Sequence, residues 1–89
     1  MEDPEAPRPV TSGPAYVYVQ VADDIERRIR AGEWARNERL PGRERMAARY
    51  GVADRTVRRA MEELEARGMV TVVPDKGTFV TWPVHRTRT

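Results

Sequence analysis

At 89 residues, with no cysteine and a net charge of +2, the chain has room for one small domain. Disulfide staples and thiolate metal sites are excluded, and the deep pocket of a typical enzyme is hard to build at this size. No apolar run approaches the ~20 residues of a membrane span, and the N-terminus lacks a secretory pattern, so the expected location is the cytoplasm.

The first fourteen residues, MEDPEAPRPVTSGP, hold four of the seven prolines and a net charge of −2. With almost nothing apolar to bury, they read as a disordered arm. Residues 16–31 read as a helix, because Val17, Val21, Ile25 and Ile29 recur every fourth residue and Gly32 follows. Asp23 and Asp24 are neighbours on that helix, which does not converge two carboxylates on a metal, so they are expected on a solvated face. In GEWARNERLPG, Asn37 tolerates a left-handed backbone and Leu40, preceding Pro41, should be extended. A turn and a short extended segment at about 38–40 are expected. Residues 43–50 form a short helix with Met46, Ala47 and Tyr50 on one side, broken by Gly51-Val52. Residues 54–67 are the clearest helix: Val57, Ala60, Met61 and Leu64 fall at i, i+3, i+4 and i+7, and Gly68 stands at the C-cap. Asp54 in its first turn and Arg67 in its last complement the helix dipole. Beyond Gly68 the period changes to β-branched and aromatic runs, MVTVV and TFVTW, around a turn at 74–77. Pro83 ends the hairpin, and VHRTRT reads as a flexible tail.

The order helix, short strand, helix, tight turn, helix, hairpin is that of a winged helix-turn-helix. The fold is expected to be mostly α with a small β-hairpin: three helices plus a two- to three-stranded antiparallel wing, spanning residues 15–83. Residues 39–59 hold seven arginines against Glu44 and Asp54, a net of +5. GC-rich codon usage accounts for arginine outnumbering lysine, but not for that crowding. On the third helix, Arg55 and Arg59 lie opposite the apolar stripe with Arg58 and Thr56 on its flanks, while Glu62, Glu63 and Glu65 come a turn later. One reading is a plain solvated face with Arg58–Glu62 and Arg59–Glu63 pairs, each worth a few tenths of a kcal/mol. The other is a major-groove helix whose N-terminal half meets base edges and whose carboxylates stay clear of phosphate. The wing that follows favours the second. Gly77 is needed for the turn in either case; Lys76 is either an unremarkable surface cation or one that reaches phosphate or the minor groove.

The runs YVQVADDIERRIRAG, ERLPGRERMAARYGV, TVRRAMEELEARGMV and KGTFV, in this order and spacing over residues 18–82, resemble the DNA-binding domain of the gluconate-repressor (GntR) family of bacterial transcription regulators. The resemblance implies sequence-specific binding of double-stranded operator DNA by a regulator, most simply a repressor at the nucleoid. Helix 54–67 would enter the major groove, and wing 69–82 would lie at the adjacent backbone or minor groove. Thr56, Arg58, Lys76 and Gly77 match family contact positions, and Arg55 and Arg59 share the same helix face. Three departures change what is read. Ala53 replaces a capping serine or threonine, Asp54 stands where a base-contacting arginine is common, and Glu44 replaces an arginine that often touches DNA. Arg43 and Arg45 flank Glu44 as candidate contacts.

Family members usually continue into a C-terminal effector-binding and dimerising domain, whereas this chain stops about seven residues after the wing. It is therefore expected to stand alone, with no small-molecule effector, no cofactor and no metal, and to form at most a weak or DNA-induced homodimer. Two other classes compete. A winged-helix protein-interaction module would expose an apolar patch in place of the basic face, and an accessory DNA-architectural protein is the other alternative. An enzyme would need a constellation that is not here: His85 is the one histidine and no carboxylate pair converges.

Overall fold

The computed structural model describes residues 14–83; the regions read as an arm and a tail, residues 1–13 and 84–89, lie outside the described residues. Three helices, α1 (Pro14–Arg30), α2 (Arg43–Tyr50) and α3 (Asp54–Ala66), precede a hairpin of β1 (Val70–Val73) and β2 (Gly77–Val80). The periodic apolar positions fix these bounds almost residue for residue. The exceptions are α1, which takes in Pro14 from the segment read as an arm and ends at Arg30 rather than Ala31, and α3, which stops one residue short of Arg67. Strand β2 also differs, ending at Val80 rather than running on to Trp82. Each helix is followed by a glycine in the left-handed region. At α3 the Met69 N–H donates to the Leu64 carbonyl (2.9 Å) and the Gly68 N–H to that of Glu65 (3.0 Å). These crossed bonds satisfy the last carbonyls and turn the chain into the wing.

The core sits where α3 crosses α1 and the hairpin closes over its end. Ile25, Met46, Val57, Leu64, Met69 and Val80 are fully buried there. The hairpin register pairs Val70 with Val80 and Val73 with Gly77. The extended segment expected at 38–40 forms a third strand in effect, on the free edge of β2. The Asn37 N–H donates to the Val80 carbonyl (2.8 Å), Val80 N–H to Glu38 (2.9 Å) and Leu40 N–H to Thr78 (2.8 Å). Those bonds place residues 37–43, and hence the start of α2, against the wing.

Two polar ties were not foreseen. Asp24 does not sit on a solvated face: its side chain is only 19% exposed. It accepts from Tyr50 Oη of α2 (2.6 Å) and Arg28 Nε (2.7 Å), and also pairs with Arg27. Arg28 and then Tyr50 hold the Asp24 carboxyl below its usual range. Burial, reinforced by Asp24, pushes the Tyr50 phenol up to about 12. Asp23 stays exposed, as expected. Arg67 is the C-cap rather than a last-turn residue, and its guanidinium turns to α1, meeting Asp23 (3.0 Å) and Glu26 (2.8 Å) as well as Glu63 (3.0 Å). It clamps α3 to α1 instead of only answering the dipole of α3.

Candidate nucleic-acid interface

Burying Val57, Ala60, Met61 and Leu64 forces the opposite face of α3 outward. On that face Arg55, Arg58 and Arg59 are exposed and Thr56 is half-buried. Arg55, Arg58 and Arg59 line a shallow hollow with Glu62. Ala53 has the extended backbone of an N-cap but no side-chain bond to offer, and only its carbonyl is engaged, by the N–H groups of Thr56 (3.0 Å) and Val57 (3.2 Å). The Arg58–Glu62 pair forms loosely at 3.8 Å, both side chains being about two-thirds exposed (65% and 63%). The Arg59–Glu63 pair does not form. Glu63 is taken by Arg67, while the Arg59 guanidinium lies 4.3 Å from the ring centroid of Tyr18 on α1. The stack draws Arg59 from the axis of α3 toward the start of α1.

Between α3 and the wing runs an open groove of about 610 Å³ with Leu40, Val57 and Met61 in its lining, and with Arg39, Arg43, Arg58 and Lys76 set against Glu62, Glu65 and Asp75 around it. The wing is fixed relative to α3 by Glu65, whose carboxylate accepts from the Val72 N–H (3.1 Å) and Thr71 Oγ1 (3.5 Å). At the wing tip the Lys76 N–H donates to the Val73 carbonyl (3.0 Å). Both Asp75 (φ 66°) and Gly77 (φ 128°) hold positive φ, so the glycine expected for the turn is required by the backbone. Gly77 opens β2 at φ 128°, where a Cβ would come 2.6 Å from Arg39 Nε. Arg45 is exposed on α2 and lies outside the groove lining.

The cations divide by side. Arg27, Arg28, Arg30, Arg49 and Arg67, along α1 and behind it, are all within 3.1 Å of carboxylates. Among the described residues, Arg36, Arg39, Arg43, Arg45, Arg55, Arg59 and Lys76 have no carboxylate at salt-bridge distance, Arg36 standing apart in the turn after α1. Sequence reasoning missed Arg39; its position before Leu40-Pro41 marks it as extended but not as facing the groove. The apolar patch that a protein-docking module would need is not found: Val72 is the one large apolar side chain exposed among the described residues.

Helices at α2 and α3 joined by a tight turn, with a hairpin closing on α3 and an open groove between them, define a winged helix-turn-helix protein. Residues 17–80 match the bacterial regulatory proteins of the gntR family. The chain belongs to that family. It is similar to the histidine utilization repressor of Klebsiella aerogenes, at 33% identity over 72 residues, or 81% of this chain and 30% of that protein. It is also similar to the HTH-type transcriptional repressor NagR of Bacillus subtilis, at 30% identity over 70 residues, or 79% of this chain and 29% of that protein. The chain thus spans about three tenths of the length of these curated relatives. In structure it is similar to AraR(DBD) in complex with operator ORE1, with a TM-score of 0.69, 30% identity, and coverage of 71% of this chain and 77% of that one.

Proposed function

We propose that this chain is the DNA-reading module of a bacterial transcription repressor, with residues 15–83 as the binding unit. It places α3 in the major groove of a double-stranded operator. Arg55, Thr56 and Arg58 address base edges from its N-terminal half, where arginine's planar fork suits guanine O6 and N7. Lys76 and Gly77 of the wing, with Arg43 and Arg45 of α2, meet the flanking backbone, and Arg59 joins them from the α1 side. The observation that carries this reading is the division of the cations. Those along α1 are neutralised within the fold, whereas those around the start of α3 and the wing are left for an external polyanion. The AraR(DBD)–operator complex, with a similar fold, supports the docking mode. Operation in the cytoplasm, at the nucleoid, goes with that role. No small-molecule effector is assigned to this module, and pairing of two copies is expected on DNA, because one winged helix covers a single half-site.

Selection of bound sites from random duplexes, followed by a salt titration on the winner, tests the reading. A palindromic winner reports paired copies, and log K should fall with log salt by about 0.9 per phosphate contact. Replacing Arg58 by alanine should relax preference at one base pair and cost about 1–3 kcal/mol there. Absence of binding at low salt would sink the assignment.

A further inference from the structure

The contact between Arg39 and Gly77 joins two segments 38 positions apart. Asp75 (φ 66°) and Gly77 (φ 128°) both hold positive φ, so the backbone alone already favours glycine at 77. Gly77 also lacks space for a side chain, since a Cβ there would lie 2.6 Å from Arg39 Nε, 3.3 Å from Cδ and 3.4 Å from Cγ. The Arg39 side chain is therefore laid flat across the Gly77 backbone. Its own backbone is pinned beside the wing by the bridge to Phe79 and by the Leu40 N–H bond to Thr78. From there it joins Arg43, Arg58 and Lys76 around the groove between α3 and the wing, with no carboxylate partner among the described residues.

We infer that Arg39 binds a backbone phosphodiester of the DNA duplex, and that Gly77 acts as its positioning residue by leaving open the surface on which it lies. A duplex whose major groove holds α3 must carry a strand past the gap between α3 and the wing. A guanidinium laid beside that gap presents a planar fork of donors to phosphate oxygens. This inference rests on the DNA-binding reading above.

Binding of specific and unrelated duplexes should be measured across salt concentrations for the wild type, Arg39→Ala, Arg39→Lys, Gly77→Ala and the Arg39→Ala/Gly77→Ala pair. Arg39→Ala is expected to weaken both duplexes about tenfold and to make the salt slope shallower by about 0.9. Arg39→Lys should retain the slope. Gly77→Ala should reproduce the Arg39→Ala loss, and the double variant should be no weaker than Arg39→Ala alone. Thermal melts guard against a folding defect. Gly77→Ala should lower Tm less in the Arg39→Ala background, where the obstructing side chain is gone. The strain of a Cβ at φ 128° is common to both backgrounds, so only the difference between them reports on Arg39; equal Tm losses, or additive losses of affinity, would overturn the positioning role. A wild-type slope in Arg39→Ala overturns the phosphate contact while the DNA-binding reading stands. A wild-type protein indifferent to duplex DNA overturns both.

Discussion

An arginine on a DNA-facing helix is useful only if something holds it there, and at residue 59 the holder is an aromatic ring on another helix. Tyr18 packs partly against the core and presents its face to Arg59 at 4.3 Å. The guanidinium is ordered before DNA arrives and displaced toward α1, which suits a backbone contact better than a base contact. Leucine at Tyr18 would preserve the apolar packing and remove the quadrupole; phenylalanine would preserve both. Tyr18→Leu and Arg59→Ala should each weaken duplex binding by roughly two- to fivefold, equivalent to ~0.5–1 kcal/mol. The double variant should be no worse than either, and Tyr18→Phe should bind like the wild type. A Tyr18→Leu protein that melts earlier yet binds DNA normally once folded would show that the ring serves only the core.

At the scale of elements, α3 is well specified in its middle and underspecified at its start. Ala53 already holds φ −75° and ψ 155°, the extended backbone an N-cap requires, but makes no side-chain bond to the first turn. Ala53→Ser should therefore add about 1 kcal/mol and raise Tm by roughly 4–8 °C, read by thermal melting. No gain would mean that Asp54 or solvent already satisfies those N–H groups. This defect was legible in the sequence, as were all three helices, the α2 bounds at 43–50, the hairpin and the third extended segment. Each is announced by a local signal: an apolar period, a glycine stop, or a residue held extended by the following proline. The side-chain partners were not legible. Arg59 had Glu63 at i+4 and chose Tyr18, 41 positions away. Arg67 looked like a last-turn cation, yet also meets Asp23 and Glu26 of α1. Periodicity says which face a residue occupies, but not which of several reachable partners the packed helices bring nearest. The same gap hid Arg39 until the wing closed over it.

Across the described residues, the cations that hold α1 to its neighbours are paired with carboxylates, while those proposed to meet DNA are left largely unpaired. Asp24, Glu26 and Glu33 are each held below their ordinary values of 3.8 for the aspartate and 4.5 for the glutamates, chiefly by bonds from Arg28 to Asp24, Arg30 to Glu26 and Arg28 to Glu33. A carboxylate whose value is depressed on folding contributes stability that is complete above its unfolded value and is lost as pH falls through its folded value. Acid should therefore destabilise the fold progressively once pH drops below about 4.5. Tyr50 runs the other way. Its phenol is raised from 10.0 to about 12, so the folded state holds that proton more tightly than the unfolded chain. Its contribution is complete below pH 10 and is lost as pH rises through about 12. Both limbs act on the joint between α1 and the elements behind α3, where Asp24 and Tyr50 meet at 2.6 Å. Tyr50→Phe separates them. It should cost about 1–2 kcal/mol at neutral pH through the lost hydrogen bond to a charged acceptor. It should also remove this residue's loss of stability between pH 10 and 12, while leaving most of the acid limb, which the arginine partners sustain. Denaturant melts of both proteins from pH 3 to 12 would read these slopes directly. An alkaline limb of unchanged steepness in Tyr50→Phe would mean that another group carries it, and that the Asp24–Tyr50 bond contributes packing geometry rather than proton-linked stability.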